Sequence, residues 1–310
     1  MQKSENAPIA LFVFKRPEHT RLTLESLAQN AEFPASPLFI YCDGARNDAE
    51  SAQVDETRRI ARGWPHPNKT IIERDRNWGL ANSVVAGATE LCGRFGRVIV
   101  VEDDLSVSRF FLEYMNAALD RYADDELIMQ ISGHSFGRGY SAIAGSSFLP
   151  MTTSWGWATW KRAWQHFDAE AKGHGELESN KVLRKKFDLN GAYPYSRMMA
   201  TLSKNNQLNR SWAIRWYWSA FRRNALALFP HRTLVLNRGF DGSGTNYDTA
   251  MEQVDIDFSV DNRVLEFPRE TAVDERFFKA VCRVLRGQQS IFAKGIRYLK
   301  PRLRSFFRGK

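Results

Sequence analysis

The 310 residues predict an α/β fold: a mostly parallel central sheet covered by helices on both faces, with a basic helical extension at the C-terminal end. Strand-like and helix-like segments alternate regularly through the first 132 residues. The strand-like segments are continuous apolar runs, as strands buried on both faces require. The uneven placement of positive charge sets the extension apart from the body.

Residues 8–14 (PIALFVF) form the first apolar run, and 20–30 follow with Leu22, Leu24 and Leu27 in a polar frame, a helix pattern. A second run at 38–42 ends at Asp43-Gly44, and 48–62 read as a polar, exposed helix. A short strand at 69–72 and a helix of small residues at 80–92 come next. The run 97–101 is a fourth strand, 110–122 a helix and 127–131 a fifth strand. Ligands of such sheets bind beyond the carboxyl ends of the strands. Lys15-Arg16, Asp43-Gly44, 74–77 and 102–104 are therefore expected on one rim.

The second half is rich in Trp, Tyr and Arg, and all tryptophans but Trp64 and Trp78 fall between Trp155 and Trp218. Clustered indoles serve as core; they also suit the C–H faces of sugar rings. Helices are expected at 178–187, 195–204 and 212–223, and strands at 226–229 and 234–236. The division expected is 1–132 for one ligand-binding half, 133–250 for the other half of the same domain, and 251–310 for the extension.

Cys42, Cys92 and Cys282 are too few and too scattered for a disulfide framework or a zinc site. The six histidines show no metal-ligand spacing, and no Gly-x-Ser-x-Gly, Walker or Gly-x-Gly-x-x-Gly pattern occurs. Hydrolase and dinucleotide readings lose support. The first residues lack a basic region followed by an apolar stretch, and no apolar run reaches the ~20 residues of a membrane span. The expectation is a cytoplasmic protein, peripheral at the inner face of the cell membrane.

Of the net charge of +9, the whole excess lies in residues 279–310, which hold ten Lys or Arg and no acid. The other 278 residues carry 34 basic and 35 acidic groups. Phe292, Ile296, Leu299, Leu303 and Phe306 recur at helical spacing among these cations, with Pro301 as a kink. A basic amphipathic helix suits an anionic membrane surface, at roughly 1 kcal/mol per cation near it. A nucleic-acid partner is not expected, because such charge usually sits on the folded domain among aromatics. A helix docked on the body is the third reading of this tail.

Glu102-Asp103-Asp104 directly follows a buried strand. Successive carboxylates repel unless a cation sits among them, and a hard ion such as Mn²⁺ or Mg²⁺ shared with a diphosphate meets that need with few protein ligands. Carboxylates also favour helix starts, so a solvated acidic turn is the rival reading. Asp43-Gly44 is a common turn pair, but an Asp there can accept from a uracil N–H. Two arginines before a helix N-terminus, in RDRNWGL at 74–80, suit a phosphate-bearing ligand.

Taken together, PIALFVFKR at 8–16, YCDG at 41–44, RDRNWGL at 74–80, VVEDDL at 100–105, SWGWATW at 154–160, SWAIRW at 211–216 and LNRGFDGSGT at 236–245 resemble the GT-A glycosyltransferases. The likeness is to the family-2-like sugar transferases of bacterial surface-polysaccharide assembly, and it covers about residues 8–250. It implies a nucleotide-sugar donor, UDP-linked by preference, a glycan or lipid-linked glycan acceptor, and inverting transfer by direct displacement. It further implies Asp104 as ligand of Mn²⁺ or Mg²⁺ and Asp103 facing the ribose or donor sugar. Asp43 would contact the base, and Arg74 with Asn77 would line the nucleotide pocket beside Phe14 and Arg16. Trp155 and Trp157 would shape the sugar pocket, and Asp241 and Ser243 would belong to a loop near the pyrophosphate.

One departure bears on activity. Where the resemblance implies an Asp as general base, this chain has Ala213. General-base help is worth ~10²–10⁴ in rate. Either another group serves, or an Asp→Ala change has slowed the chain; the alternative function is a catalytically silent nucleotide-sugar binding protein. A nucleotidyltransferase also places paired carboxylates at strand ends, but no Gly-rich phosphate loop lies near residues 8–17.

Overall fold

The computed structural model describes residues 5–136, 145–239, 263–264 and 266–289. The first strand–helix units are β1 (Ile9–Val13), α1 (Pro17–Ala28), β2 (Leu38–Cys42), α2 (Asp48–Gly63), β3 (Lys69–Glu73), α3 (Leu80–Phe95) and β4 (Arg97–Glu102). All five residues of β1 and of β2 are buried, and so are Val98–Val101 of β4. That is the environment their unbroken apolar runs call for. Next come β5 (Leu105–Val107), α4 (Phe111–Arg121), β6 (Ile128–Ser132), β7 (Ser146–Leu149), β8 (Trp157–Trp160) and α5 (Lys161–Trp164). The chain continues through α6 (Glu176–Ser179), α7 (Lys181–Phe187), α8 (Tyr195–Lys204), α9 (Trp212–Arg222), β9 (Leu226–Pro230), β10 (Val235–Asn237) and α10 (Glu275–Gln289).

Eight strands form one sheet in the order β3-β2-β1-β4-β8-β6-β9-β7, and β5 pairs with β10 in a separate ribbon. Strands β1 to β4, β6 and β9 run one way, while β8 and β7 are antiparallel to their neighbours. The fold is the expected α/β one with a mostly parallel sheet. The connections from β1 to β2 to β3 move outward, and the next returns past β1 to β4. Right-handed crossovers then put α1 and α2 on one face and α3 on the other. The strand order reverses between β1 and β4, and the crevice beyond their carboxyl ends is the ligand position that such sheets favour.

Four differences from the sequence expectations have physical reasons. Residues 157–160 are a strand, β8, inserted antiparallel between β4 and β6, so the fifth predicted strand does not pair with β4. The Ser-rich β7 lacks the apolar run that marks the other strands, yet all four of its residues are buried. The single helix expected at 178–187 is two, broken at Asn180, whose side chain accepts from the Leu183 N–H and caps α7. The start of the basic tail is docked: α10 buries Phe277, Phe278, Val281, Cys282 and Leu285 in a second apolar cluster with Phe187, Tyr217 and Phe229. Arg276, Lys279, Arg283 and Arg286 stay on its exposed face. No helix among the described residues is long and apolar enough to cross a membrane.

Candidate functional site

Strand β4 delivers Glu102, Asp103 and Asp104 to the β1–β4 crevice. Asp103 is 8% exposed. One of its carboxylate oxygens accepts the Phe14 N–H at 3.2 Å, and the other lies 3.7 Å from Nη1 of Arg16. Its carbonyl accepts the Thr23 hydroxyl at 2.7 Å, which ties α1 to the acidic turn. Asp104 accepts Nη1 of Arg16 at 2.9 Å on Oδ2, and its carbonyl accepts the Arg238 N–H at 2.7 Å. Its Oδ1 is buried with no hydrogen-bond partner among the described residues.

Burial and then the Asp104 charge push the Asp103 carboxyl up to about 7, against the pull of Arg16. Burial, then Asp104 and Asp103, hold Glu102 well above the usual carboxylate range. One guanidinium does not neutralise this run. The donor set is all hard oxygen and includes one unpartnered buried carboxylate oxygen, so the residues fit a small divalent cation. Among the described residues no group of three or more His, Cys, Asp or Glu could hold a metal ion by itself.

Beside this run stand two loops. Asp43, 7% exposed, accepts the N–H groups of Gly44 at 3.0 Å, Trp78 at 2.8 Å and Gly79 at 2.9 Å. It pins the 74–79 loop to the end of β2 and holds the start of α3, where Gly79 takes a φ of +77°. Gly44 lies against the Arg76 backbone, and a Cβ there would come within 2.5 Å of the Arg76 carbonyl carbon. Asn77 donates to the Gly44 carbonyl at 2.8 Å, and Arg58 donates to that of Arg74 at 2.6 Å. The contacts of Asp43 and Asn77 are framing contacts within the protein. What the frame displays is Trp78, 38% exposed, with the Arg74 guanidinium 3.8 Å from its ring centroid.

Half-buried Phe14 follows β1, with the Arg46 guanidinium 5.3 Å and the Lys15 ammonium 5.9 Å from its ring. Both cations bond Glu50, whose carboxyl Arg46 and Lys15 hold down at about 2. Trp78, Arg46, Glu50 and Arg58 were not singled out in the sequence. Trp78 had a legible signal, an indole in a turn. Glu50 and Arg58 lie on a polar helix where nothing distinguishes them from solvated charge.

The tryptophans divide. Trp155 is half-buried and edge-on to His134 at 4.4 Å, and burial drives the His134 pKa down to about 3. Trp157 is fully buried in β8, stacked on Trp212 at 4.9 Å and beside Trp164 at 5.6 Å. Being fully buried, it would shape a sugar pocket only as support from behind, not through its own face. The register pairs Trp157 with Val100, two residues before Glu102. Its stack on Trp212 packs the first turn of α9, which carries half-buried Ala213, against β8. Asp241 and Ser243 lie outside the described residues. The described chain approaches them at Gly239, where a Cβ would fall 2.3 Å from Oδ2 of Asp104. A cavity of about 230 Å³ bordered by His174, Arg184, Arg197 and Lys204 contains none of these residues in its lining.

No protein-family profile matches the chain, and no curated protein does. Solved structures similar to it include mouse xyloside xylosyltransferase 1 in its apo form, at 11% identity and a TM-score of 0.37, covering 70% of this chain and 81% of that one. The galactosyltransferase LgtC, solved with donor and acceptor sugar analogues, is 12% identical with a TM-score of 0.32, covering 56% of this chain and 65% of that one. The apo bifunctional glycosyltransferase WbbM is 12% identical with a TM-score of 0.30, covering 72% and 38%. The chain thus spans less than two thirds of LgtC and of WbbM. TM-scores this low carry no weight in deciding the activity.

Proposed function

We propose that this chain is a GT-A-like glycosyltransferase that moves a sugar from a nucleotide-sugar donor, UDP-linked by preference, to a glycan or lipid-linked glycan. The observation that carries the reading is the acidic run at the strand-order reversal: three successive carboxylates, half-buried or buried, with one buried oxygen of Asp104 lacking a partner among the described residues, beside Arg16 and the Arg74–Trp78 pair. Carboxylates need a reason to gather there, and a shared cation with a diphosphate supplies one. Asp104 would hold Mn²⁺ or Mg²⁺, and that ion would stabilise the charge developing on the departing diphosphate. Asp103 would face the ribose or donor sugar. Arg74, stacked on Trp78, would meet the nucleotide with its guanidinium, beside the exposed indole.

In an inverting displacement the acceptor oxygen bonds to the anomeric carbon as the bond to the diphosphate oxygen breaks. The acceptor proton passes to a base on the opposite side of the sugar. Position 213, in the first turn of α9, is where this reading puts that base, and Ala213 cannot accept a proton. The second reading, a silent nucleotide-sugar binding protein, rests on this alanine. Replacing Ala213 with Asp adds a carboxylate at a helix N-terminus, which the helix dipole favours. It should raise kcat by about two to four decades in a transfer assay with little change in donor affinity. Ala213→Asn should leave kcat unchanged, and equal rates for both variants would remove position 213 from the mechanism.

An anionic membrane surface remains the proposed partner of residues 279–310. The exposed Lys279, Arg283 and Arg286 support it, and the apolar face of α10 is already occupied by the body. That leaves membrane insertion to residues beyond 289.

A further inference from the structure

We propose that Arg16 is the resident counter-ion of the Asp103–Asp104 pair and a gate on cation binding. The site would take a divalent ion weakly while Arg16 stays on these carboxylates, and strongly when a diphosphate draws Arg16 off them. Arg16 stands between the end of β1 and Pro17, the first residue of α1, and the proline disfavours a helical backbone at the residue before it. The backbone at Arg16, with φ −122° and ψ 76°, is non-helical, and its side chain reaches the acidic turn. One nitrogen, Nη1, reaches both carboxylates, at 2.9 Å from Asp104 and 3.7 Å from Asp103. The three side chains are only 12–16% exposed, so solvent screens the contact poorly.

A guanidinium cannot lose its proton in a protein, so it leaves the carboxylates only by moving. A divalent ion bound to Oδ2 of Asp104 would sit within a few ångströms of it, like charge against like. Yet Oδ1 of Asp104, buried, has no hydrogen-bond partner among the described residues, so the same carboxylate has one oxygen that Arg16 does not satisfy. The arrangement is a pair of acids already partly neutralised, able to exchange an internal cation for an external one. A diphosphate is the natural lure for Arg16, because guanidinium binds phosphate oxygens in a fork. That last step rests on the donor reading above; the counter-ion role does not.

The test titrates Mn²⁺ alone into the wild-type chain and the Arg16→Gln variant, following free Mn²⁺ by electron paramagnetic resonance. The variant should bind at least tenfold more tightly, and adding Asp104→Ala to it should abolish the gain. With UDP present, the wild-type affinity for Mn²⁺ should rise by a larger factor than that of the variant. A folded Arg16→Gln protein that binds Mn²⁺ no better than wild type overturns the gate. Should that variant melt early, Arg16→Lys, which lacks the fork, should show a smaller rise; no rise in either variant also overturns it. Tighter Mn²⁺ binding in Arg16→Gln with no UDP binding in either protein would uphold the counter-ion and sink the donor reading.

Discussion

Asp103 holds its carboxyl up at about 7 because β4 carries it into the body beside Asp104. The consequence for stability has a definite sign. The unfolded chain releases this proton near 3.8, the folded chain near 7, so between those values the folded state binds more protons. Stability contributed here is present below pH ~4 and is lost as pH rises toward 7, then stays level. Asp103→Asn removes the titration, so the variant should gain on wild type across that window, by up to a few kcal/mol. Thermal unfolding of both proteins from pH 4 to 8 checks it, and parallel curves would refute the assignment. At this scale the acidic run was legible in the sequence as successive carboxylates after a buried strand. The sequence could not show that Asp43 and Asn77 find partners in each other's loop, because hydrogen bonds across 33 to 36 residues leave no local pattern.

At the scale of elements, the parallel strands were legible because burial on both faces demands unbroken apolar runs. β8 was not. Its Trp-Ala-Thr-Trp is aromatic enough to suit a sugar pocket, and only its insertion between β4 and β6 makes it core. The helix α10 was legible as basic and amphipathic, but sequence periodicity does not say whether an apolar face meets lipid or protein. Here it meets protein, and the Asp274 side chain caps it by accepting the Phe277 N–H. A chain ending at Asp274 loses five buried side chains, each worth roughly 1.5–3 kcal/mol for a large apolar group. It should melt at least several degrees below the full chain. Equal melting of the two would mean that α10 is an appendage after all.

For the whole molecule, the decisive fact is where the strand order reverses. The predicted alternation put all four rim segments at one edge of the sheet; the topology adds that β1 and β4 flank the reversal, with Arg16 and the acidic run facing each other across it. The ribbon of β5 with β10 was hidden, since Arg238 reaches Asp104 from 134 residues away. The central claim is that Asp104 binds a divalent ion jointly with a nucleoside diphosphate. Calorimetric titration of UDP with and without Mn²⁺ tests it in the wild type and in Asp104→Ala. The account predicts at least a tenfold gain in UDP affinity from Mn²⁺ in the wild type, and none in a normally folded Asp104→Ala protein. The same Mn²⁺-dependent affinity in both proteins would contradict it.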